Sequence, residues 1–124
     1  MTAERQYLCT LDDLPETGSK GFVLTEDGKV AVFIVRQQGR LHAYKNQCPH
    51  TGAPLEWKPD QFLDFENRFI QCALHGALFE INTGYCVRGP CAGNSLQSEE
   101  IVVEGRAVYL VKNEVSKADT APVR

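Results

Sequence analysis

Short apolar segments alternate with turn residues along most of the chain, a pattern typical of a small antiparallel β structure. The strongest segment is "VAVFIVR" at 30–36, which lies between the turn signals "EDGK" and "QQGR". Together with "LHAY" at 41–44 it predicts a hairpin. A second hairpin is predicted over "EIVVEGRAVYLV" at 100–111, and further strands over "QYLCTL", "GFVL", "RFIQC" and "ALFEI".

Two regions depart from this pattern. The stretch "EWKPDQFLDFENR" at 56–68 is predicted to be a loop with local structure, because Pro59–Asp60 can begin a helical turn whereas Asn67–Arg68 resembles a hairpin corner. Its aromatic residues form either a rim for partner docking or the apolar anchors of a solvated flap; they are Trp57, Phe62 and Phe65. The tail at 112–124 has few large apolar residues and is predicted to be frayed.

The composition fits one domain of this kind. The 124 residues are 43% hydrophobic, so we expect a single all-β domain over 1–124 with its core at about 7–111. The formal net charge is -3 and no run of Lys or Arg occurs, which disfavours nucleic acid as a partner. No apolar run approaches the roughly 20 residues of a membrane span, and the N-terminus carries no apolar stretch of the signal-peptide type. We therefore expect a cytoplasmic protein with no membrane association.

Cysteine and histidine occur in two mixed pairs. Cys48 and His50 lie in "CPH", Cys72 and His75 lie in "CALH", and a 21-residue spacer at 51–71 separates the pairs. The odd count of five cysteines and the expected cytoplasmic location disfavour a disulfide framework. A zinc finger groups its thiolates on one segment and its imidazoles on the other, whereas each segment here carries one of each.

Two hairpin tips that face one another would bring the sulfurs together at one end and the imidazoles together at the other. That arrangement suits two metal ions side by side. Two alternatives remain open from the residues alone. One is a single zinc ion held by the same four side chains, and the other is no metal at all, with core cysteines and surface histidines.

These pairs resemble the Rieske 2Fe-2S family, whose motif is C-x-H followed by C-x-x-H. "CPHTGAPL" and "CALHGALF" resemble its two cluster-binding loops, and "TGYCVRGP" resembles the proline-containing third loop that covers the cluster. The resemblance extends from about Leu8 to Val111, with a longer spacer than the family usually has. It implies a Rieske-type antiparallel β-sandwich in which loops between hairpins hold one 2Fe-2S cluster per chain. The implied ligands are Cys48 and Cys72 on one iron, and His50 and His75 on the other.

The resemblance also bears on the reduction potential. High-potential members of the family carry an additional disulfide where this chain has Ala53 and Leu74. They also carry hydroxyl groups beside the cluster sulfurs where this chain has Ala77 and Phe79. Because hydrogen bonds to sulfur stabilise the reduced state, their absence predicts a value toward the low end of the roughly -150 to +300 mV Rieske range.

The remaining cysteines and the third histidine are not predicted to be ligands. Cys86 and Cys91 flank "VRGP" in the third loop, either as a redox-active or cluster-tuning pair or as small residues packed under the loop. The packing interpretation is favoured because cytosolic disulfides are uncommon. Cys9 is predicted to lie in the core, and His42 is predicted to have a structural role on a strand.

Three functions are compatible with this sequence. The favoured one is a Rieske ferredoxin that passes single electrons from a flavin reductase to a terminal oxygenase. One alternative is a Rieske-like small subunit of a multicomponent reductase, such as nitrite reductase. The other is a non-redox domain whose metal site only stabilises the fold.

A complete oxygenase is excluded, because its mononuclear iron needs two further histidines and a carboxylate, and only His42 is unassigned. We find no nucleophile–base pair and no phosphate-binding glycine loop, so we expect an electron-transfer component without a catalytic site of its own.

Overall fold

The computed structural model describes residues 3–49, 51–73 and 76–113. Over these residues the chain is nearly all-β, with one short 3-10 helix at Leu11–Asp13. The strands are β1 (Ala3–Thr10), β2 (Gly18–Val23), β3 (Val30–Gln37), β4 (Arg40–Lys45), β5 (Phe69–Gln71), β6 (Leu78–Glu80), β7 (Cys86–Arg88), β8 (Ile101–Glu104) and β9 (Ala107–Asn113). All of their pairings are antiparallel, which confirms the predicted fold class.

The chain divides into two compact units. The first contains the two terminal segments, of which 3–13 and 99–113 are described, and its sheet has the order β1-β9-β8. The second unit, Leu14–Ser98, contains the sheets β2-β3-β4 and β5-β6-β7. The predicted extent of a single domain, 1–124, stays a prediction.

The core of the second unit is built on β3. Phe33, Ile34 and Val35 are all fully buried, which explains why this strand has a continuous apolar run rather than an alternating one. Phe33 stacks on Phe62 with 4.3 Å between ring centroids and 6° between ring planes. The spacer therefore contributes an aromatic side chain to the core.

The spacer forms turns rather than a helix. Lys58 and Gln61 form an isolated bridge around Asp60, which has a φ of 65°. A residue at positive φ cannot continue a right-handed helix, so the possible helical turn at Pro59–Asp60 is not formed. Asn67, at a φ of 60°, forms the expected corner before β5.

The predicted strand boundaries need two corrections. β9 extends to Asn113 and pairs with β1 from Ala3 onward, so ordered pairing begins before residue 7 and continues into the predicted tail. The rest of that tail, 114–124, lies outside the described residues. The short strand β7 was not predicted, because its residues were assigned to the proline-containing third loop. Over the described ranges, no helix is long and apolar enough to cross a membrane.

Candidate metal centre

Two loops of the second unit are built alike, one after β4 and one after β5. In the first, the Cys48 amide donates to the carbonyl of Ala53 at 2.9 Å, and the Gly52 amide donates back to the carbonyl of Cys48 at 2.6 Å. In the second, Cys72 donates to Ala77 at 2.9 Å, and Gly76 donates to Cys72 at 2.9 Å. Each cysteine thus begins a closed loop whose fifth and sixth residues occupy equivalent places.

The glycine of each loop is required by backbone conformation. Gly52 has a φ of 79° and Gly76 a φ of 68°, a region that L side chains rarely adopt. A Cβ atom at either position would meet no atom within 4 Å. Conformation rather than lack of space therefore accounts for glycine four residues after each cysteine.

Main-chain and side-chain hydrogen bonds hold the two loops together. The Ala73 amide of the second loop donates to the carbonyl of Leu55 in the first at 3.0 Å. The Leu55 amide in turn donates to Oδ1 of Asn46 at 2.8 Å. Asn46 is buried, and its Nδ2 donates to the carbonyl of Val30 and to Oε1 of Glu56. One buried amide side chain therefore ties the first loop to β3 and to the start of the spacer.

The sulfur-bearing residues are buried while the loop tips are exposed. Cys48 is 2% exposed and Cys72 is 0% exposed. The exposed neighbours are Pro49, Thr51, Gly52, Ala73 and Gly76. His50 and His75 lie outside the described residues, so their predicted ligand roles stay predictions. Within the described ranges no group of three or more His, Cys, Asp and Glu side chains is arranged to hold a metal ion.

The two described members of the predicted ligand set fit sulfur ligation of a metal cluster. Cys48 and Cys72 begin two like loops that are hydrogen-bonded together, and both belong to one buried cluster. Buried thiolates need a positive partner, because an isolated charge removed from water is costly. Iron supplies that partner in an iron-sulfur site.

A third loop, 86–94, packs against the second. A Cβ atom added to Gly89 would come within 2.8 Å of the Cα and 2.9 Å of the Cβ of Ala77, so only glycine allows this close approach. The loop closes on itself through Gly93 donating to the carbonyl of Cys86 at 3.2 Å and Cys86 donating to that of Asn94 at 2.8 Å. The loop predicted to cover the cluster therefore lies directly beside one cluster-binding loop.

The third loop brings two thiols together next to Cys48. Cys86 and Cys91 are fully buried, and their sulfurs are 3.2 Å apart without a disulfide bond. The Cys91 side chain also interacts with that of Cys48. Burial is the largest cause that raises the pKa of Cys91 to about 12, followed by its interactions with Cys86 and Cys48. The burial agrees with the favoured packing interpretation, and the redox activity of the pair stays untested.

The structure also shows where the other residues named in the sequence analysis lie. Ala77 and Phe79 are fully buried, and Cys9 is buried as predicted. His42 lies on β4, where burial and then the charge of Arg40 lower its pKa. Of the spacer aromatics Phe62 is buried, Trp57 is 45% exposed and Phe65 is 97% exposed.

Sequence reasoning missed one residue of this site, Asn46, and one interaction, that of Cys91 with Cys48. Asn46 stands two positions before Cys48, and asparagine next to a loop often bonds the local backbone through its side chain, a signal that was available. The contact of Cys91 with Cys48 joins residues 43 positions apart in the chain. No local pattern reveals a contact of that kind.

Comparisons with known proteins agree with this geometry. The model of the Rieske [2Fe-2S] domain matches residues 4–116. The ferredoxin subunit of 3-phenylpropionate/cinnamic acid dioxygenase from Photorhabdus laumondii is 28% identical over 108 residues, which is 87% of this chain and 94% of that protein. The ferredoxin component of the naphthalene 1,2-dioxygenase system of Pseudomonas aeruginosa is 31% identical over 100 residues, covering 81% of this chain and 88% of that protein.

Among solved structures, the ferredoxin of carbazole 1,9a-dioxygenase from Nocardioides aromaticivorans gives a TM-score of 0.67 at 27% identity. That match covers 91% of this chain and 100% of the other. The chain therefore belongs to the Rieske [2Fe-2S] domain family, whose cofactor is the Rieske-type 2Fe-2S cluster.

Proposed function

We propose that this protein is a one-electron carrier, the ferredoxin component that passes electrons from a flavin reductase to a terminal oxygenase. The observation that carries the proposal is the pair of like loops, each with a buried cysteine, joined through Ala73 and Leu55. Similarity over most of their length to ferredoxin components of dioxygenase systems supports the same role.

In this proposal Cys48 and Cys72 bind one iron of the cluster, and His50 and His75 bind the other. The bound cluster supplies reversible uptake of one electron. The chain supplies burial of both sulfurs, which keeps water from them, and exposed loop tips, which let a partner come close. A carrier requires both, because electron transfer falls off steeply with distance from the partner.

The first experiment tests the ligand set. Purified protein is assayed for two irons and two sulfides per chain, for visible absorption and for a Rieske-type electron paramagnetic resonance signal after one-electron reduction. We expect the single substitutions Cys48→Ser, Cys72→Ser, His50→Ala and His75→Ala each to lose the signal. Cys9→Ala and His42→Ala are matched controls of the same residue types and keep it. A colourless protein loaded with zinc would overturn the proposal.

The second experiment tests the role in electron transfer. The reduced protein is mixed by stopped flow with an oxidised Rieske oxygenase, and reoxidation is followed by visible absorption. We expect reoxidation in a second-order reaction, and steady-state reduction by NADH through a flavin reductase. Reoxidation by a nitrite reductase large subunit but by no oxygenase would replace the proposal with the small-subunit alternative.

Two finer properties belong to the same proposal. The apolar side chains of Ala77 and Phe79 offer no hydroxyl to the sulfurs, so a redox titration is expected to give a midpoint toward the low end of the Rieske range. The protein is cytoplasmic, where its reductase finds NADH. Cell fractionation that recovers it with periplasmic markers would contradict that location.

A further inference from the structure

We propose that Arg88 of the third loop is a specificity-determining residue, which forms an ion pair with a carboxylate of the terminal oxygenase on an otherwise uncharged docking surface. The inference rests on the proposed function, which supplies the partner. It assigns a role in recognition to a residue outside the predicted ligand set.

The docking surface consists of the exposed residues of the two cluster-binding loops and the third loop, 46–55, 71–77 and 86–94. A hydrogen bond joins the first two loops, and the third packs directly against the second. All three belong to the second compact unit. The first two carry the predicted ligands, so a partner that takes an electron from the cluster has to contact this surface.

These loops are almost free of charge. Asp, Glu, Lys and Arg make up 23% of the chain, whereas the three loops contain one such residue, Arg88. Interface cores are depleted of charged residues, because a charge removed from water is costly, while arginine is enriched there. The composition of the loops therefore fits a surface that a partner covers. Its exposed apolar residues include Pro49, Pro54, Ala73, Val87, Pro90 and Ala92.

Arg88 has no carboxylate partner within the part of the chain that the structure describes. Most of the described arginines are paired, and Arg40, at the start of β4, is the other exception. Arg88 is exposed, so its charge is available to a second protein. The arginines held in ion pairs are Arg5, Arg36, Arg68 and Arg106.

The third loop holds the backbone of Arg88 in place while its side chain stays exposed. Arg88 pairs with Leu78 in the ladder of β6 and β7, and its carbonyl accepts from Cys86 Sγ at 3.2 Å. The next residue, Gly89, packs against Ala77 of the second loop. The guanidinium is therefore carried by a fixed backbone position beside a cluster-binding loop.

The chemistry of the partner follows from the guanidinium. This group has five donors and no acceptor, and its planar fork matches the two oxygens of a carboxylate. An Asp or Glu on the oxygenase, surrounded by uncharged surface, is the complementary group. A charge pair of this kind contributes more to orientation and to the rate of association than to affinity. That suits a carrier, because it has to leave the oxygenase after each electron.

The first experiment compares Arg88→Ala with the matched control Arg68→Ala in the cluster-loaded protein. Arg68 is an exposed arginine of the same unit, outside the three loops, and lies 3.5 Å from Glu66. Both substitutions remove one positive charge. The measurement is stopped-flow reoxidation of the reduced protein by an oxidised Rieske oxygenase, over a range of oxygenase and salt concentrations.

We expect Arg88→Ala to lower the second-order rate constant by about two- to fivefold at low salt. The difference from the wild type should shrink at high salt, which screens the ion pair. The rate at saturating oxygenase and the electron paramagnetic resonance signal should not change, because electron transfer within the complex and the cluster itself are untouched. Arg68→Ala should react at the wild-type rate.

The second experiment detects the carboxylate directly. Arg88→Lys keeps the positive charge and supplies an amine, which a water-soluble carbodiimide couples to a carboxylate in contact with it. Mass spectrometry of the digested complex should find residue 88 joined to an Asp or Glu of the oxygenase. The wild type, which has no amine at this position, should not give that product.

Three results would overturn the inference and leave the proposed function intact. The first is an unchanged second-order rate constant in Arg88→Ala, and the second is an equal loss in Arg68→Ala, which would indicate an effect of net charge alone. The third is coupling of Arg88→Lys to the oxygenase only through other positions. A loaded wild-type protein that no oxygenase reoxidises would instead refute the proposed function.

Discussion

Single buried polar groups fix the first cluster-binding loop to the sheet that precedes it. Asn46 satisfies the amide of Leu55, the carbonyl of Val30 and the carboxylate of Glu56 at once. Tyr44, two residues earlier and on β4, donates its hydroxyl to the carbonyl of Ile81 at 2.6 Å. At the scale of one residue, the position of the loop thus depends on a few hydrogen bonds that water cannot replace.

Replacing Asn46 is expected to loosen this loop. Asn46→Ala leaves the buried Leu55 amide without its acceptor, at a cost of about 1–3 kcal/mol in the free energy of unfolding. Faster loss of the cluster should accompany that change. Asn94→Ala, at an exposed position, should stay within about 0.5 kcal/mol of the wild type. Urea unfolding and the decay of visible absorption measure both effects, and equal stability of the two variants would contradict the prediction.

Tyr44 makes a contribution to stability that depends on pH. Burial raises its pKa to about 12, above the value near 10 of the unfolded chain. The folded state therefore keeps the phenolic proton between pH 10 and 12, while the unfolded state loses it. Stability from this group is complete below pH 10 and falls as the pH rises toward 12.

The variant Tyr44→Phe isolates that contribution. At pH 8 it should be less stable by about 1 kcal/mol, because the hydrogen bond to Ile81 is lost. The difference from the wild type should narrow between pH 10 and 12, since phenylalanine does not ionise. Urea unfolding at a series of pH values measures the difference. A gap that stays constant across this range would show that Tyr44 does not titrate as described.

Residues of the site differ in how readily the sequence predicts them. The cysteine, histidine and glycine spacing of the two loops is local, so the chain order alone predicted Cys48, Cys72, Gly52 and Gly76. Asn46 carries a local signal too, because an asparagine just before a loop often bonds the nearby backbone. The interaction of Cys91 with Cys48 is different, because no window of neighbouring residues contains both side chains.

At the scale of elements, the absence of a side chain at Gly89 allows the third loop to pack against the second. Gly89 and Gly93 both have positive φ values, 104° and 95°, so alanine is strained at either place. Only at Gly89 would the new Cβ also meet the second loop, at Ala77. At Gly93 nothing lies within 4 Å.

The pair of variants separates backbone strain from the packing of the two loops. Gly93→Ala should cost about 1–3 kcal/mol from strain alone. Gly89→Ala should cost about 1–3 kcal/mol more, because the two loops must move apart. It should also shift the resonance signal of the cluster, whereas Gly93→Ala should not. Chemical unfolding and electron paramagnetic resonance provide the comparison, and identical results for both variants would refute a direct packing role.

The spacer is anchored to the rest of the second unit through Asp60 and Phe62. Asp60 accepts from the Gly21 amide at 2.8 Å, and Ser19 Oγ donates to its carbonyl at 2.7 Å. Phe62 enters the core against Phe33. Gly21 must be glycine at this place, since a Cβ there would lie 3.1 Å from the Phe62 ring and 2.7 Å from Val30.

Two phenylalanines of the spacer therefore should behave in opposite ways. Phe62→Ala is expected to cost about 3–5 kcal/mol, because it empties a fully buried ring position. Phe65→Ala should change stability by no more than about 0.5 kcal/mol, because that ring is 97% exposed. Thermal or urea unfolding measures both. A large loss of stability in Phe65→Ala and a small one in Phe62→Ala would show that Phe65, not Phe62, anchors the spacer.

The pattern of the elements was predictable where it was regular. The hairpin of β3 and β4 and that of β8 and β9 have long apolar strands between clear turns, and both are found. The pattern did not predict which aromatic side chains of the spacer are buried, because the buried and the exposed ones follow no fixed period. Which of them enters the core is decided by the space beside Gly21 and Phe33, not by local sequence.

At the scale of the whole molecule, the cluster-binding loops and the third loop all belong to the second compact unit, Leu14–Ser98. The first unit is held by the pairing of β1, β9 and β8. A bound group stabilises the folded state of the segments that hold it, because the unfolded chain binds it poorly. Loss of the cluster should therefore destabilise the cluster-binding segments more than the first unit.

Hydrogen exchange followed by mass spectrometry tests this distribution. After removal of iron with a chelator, amides in 46–55, 71–77 and 86–94 should exchange at least about tenfold faster, because local opening no longer has to break iron–ligand bonds. Amides of β1, β8 and β9 should exchange at nearly the rate of the loaded protein, since their ladder contains no predicted ligand. Protein reconstituted with iron and sulfide is the control and should recover its slow exchange. A uniform rise across both units would show that the cluster stabilises the chain as one cooperative whole.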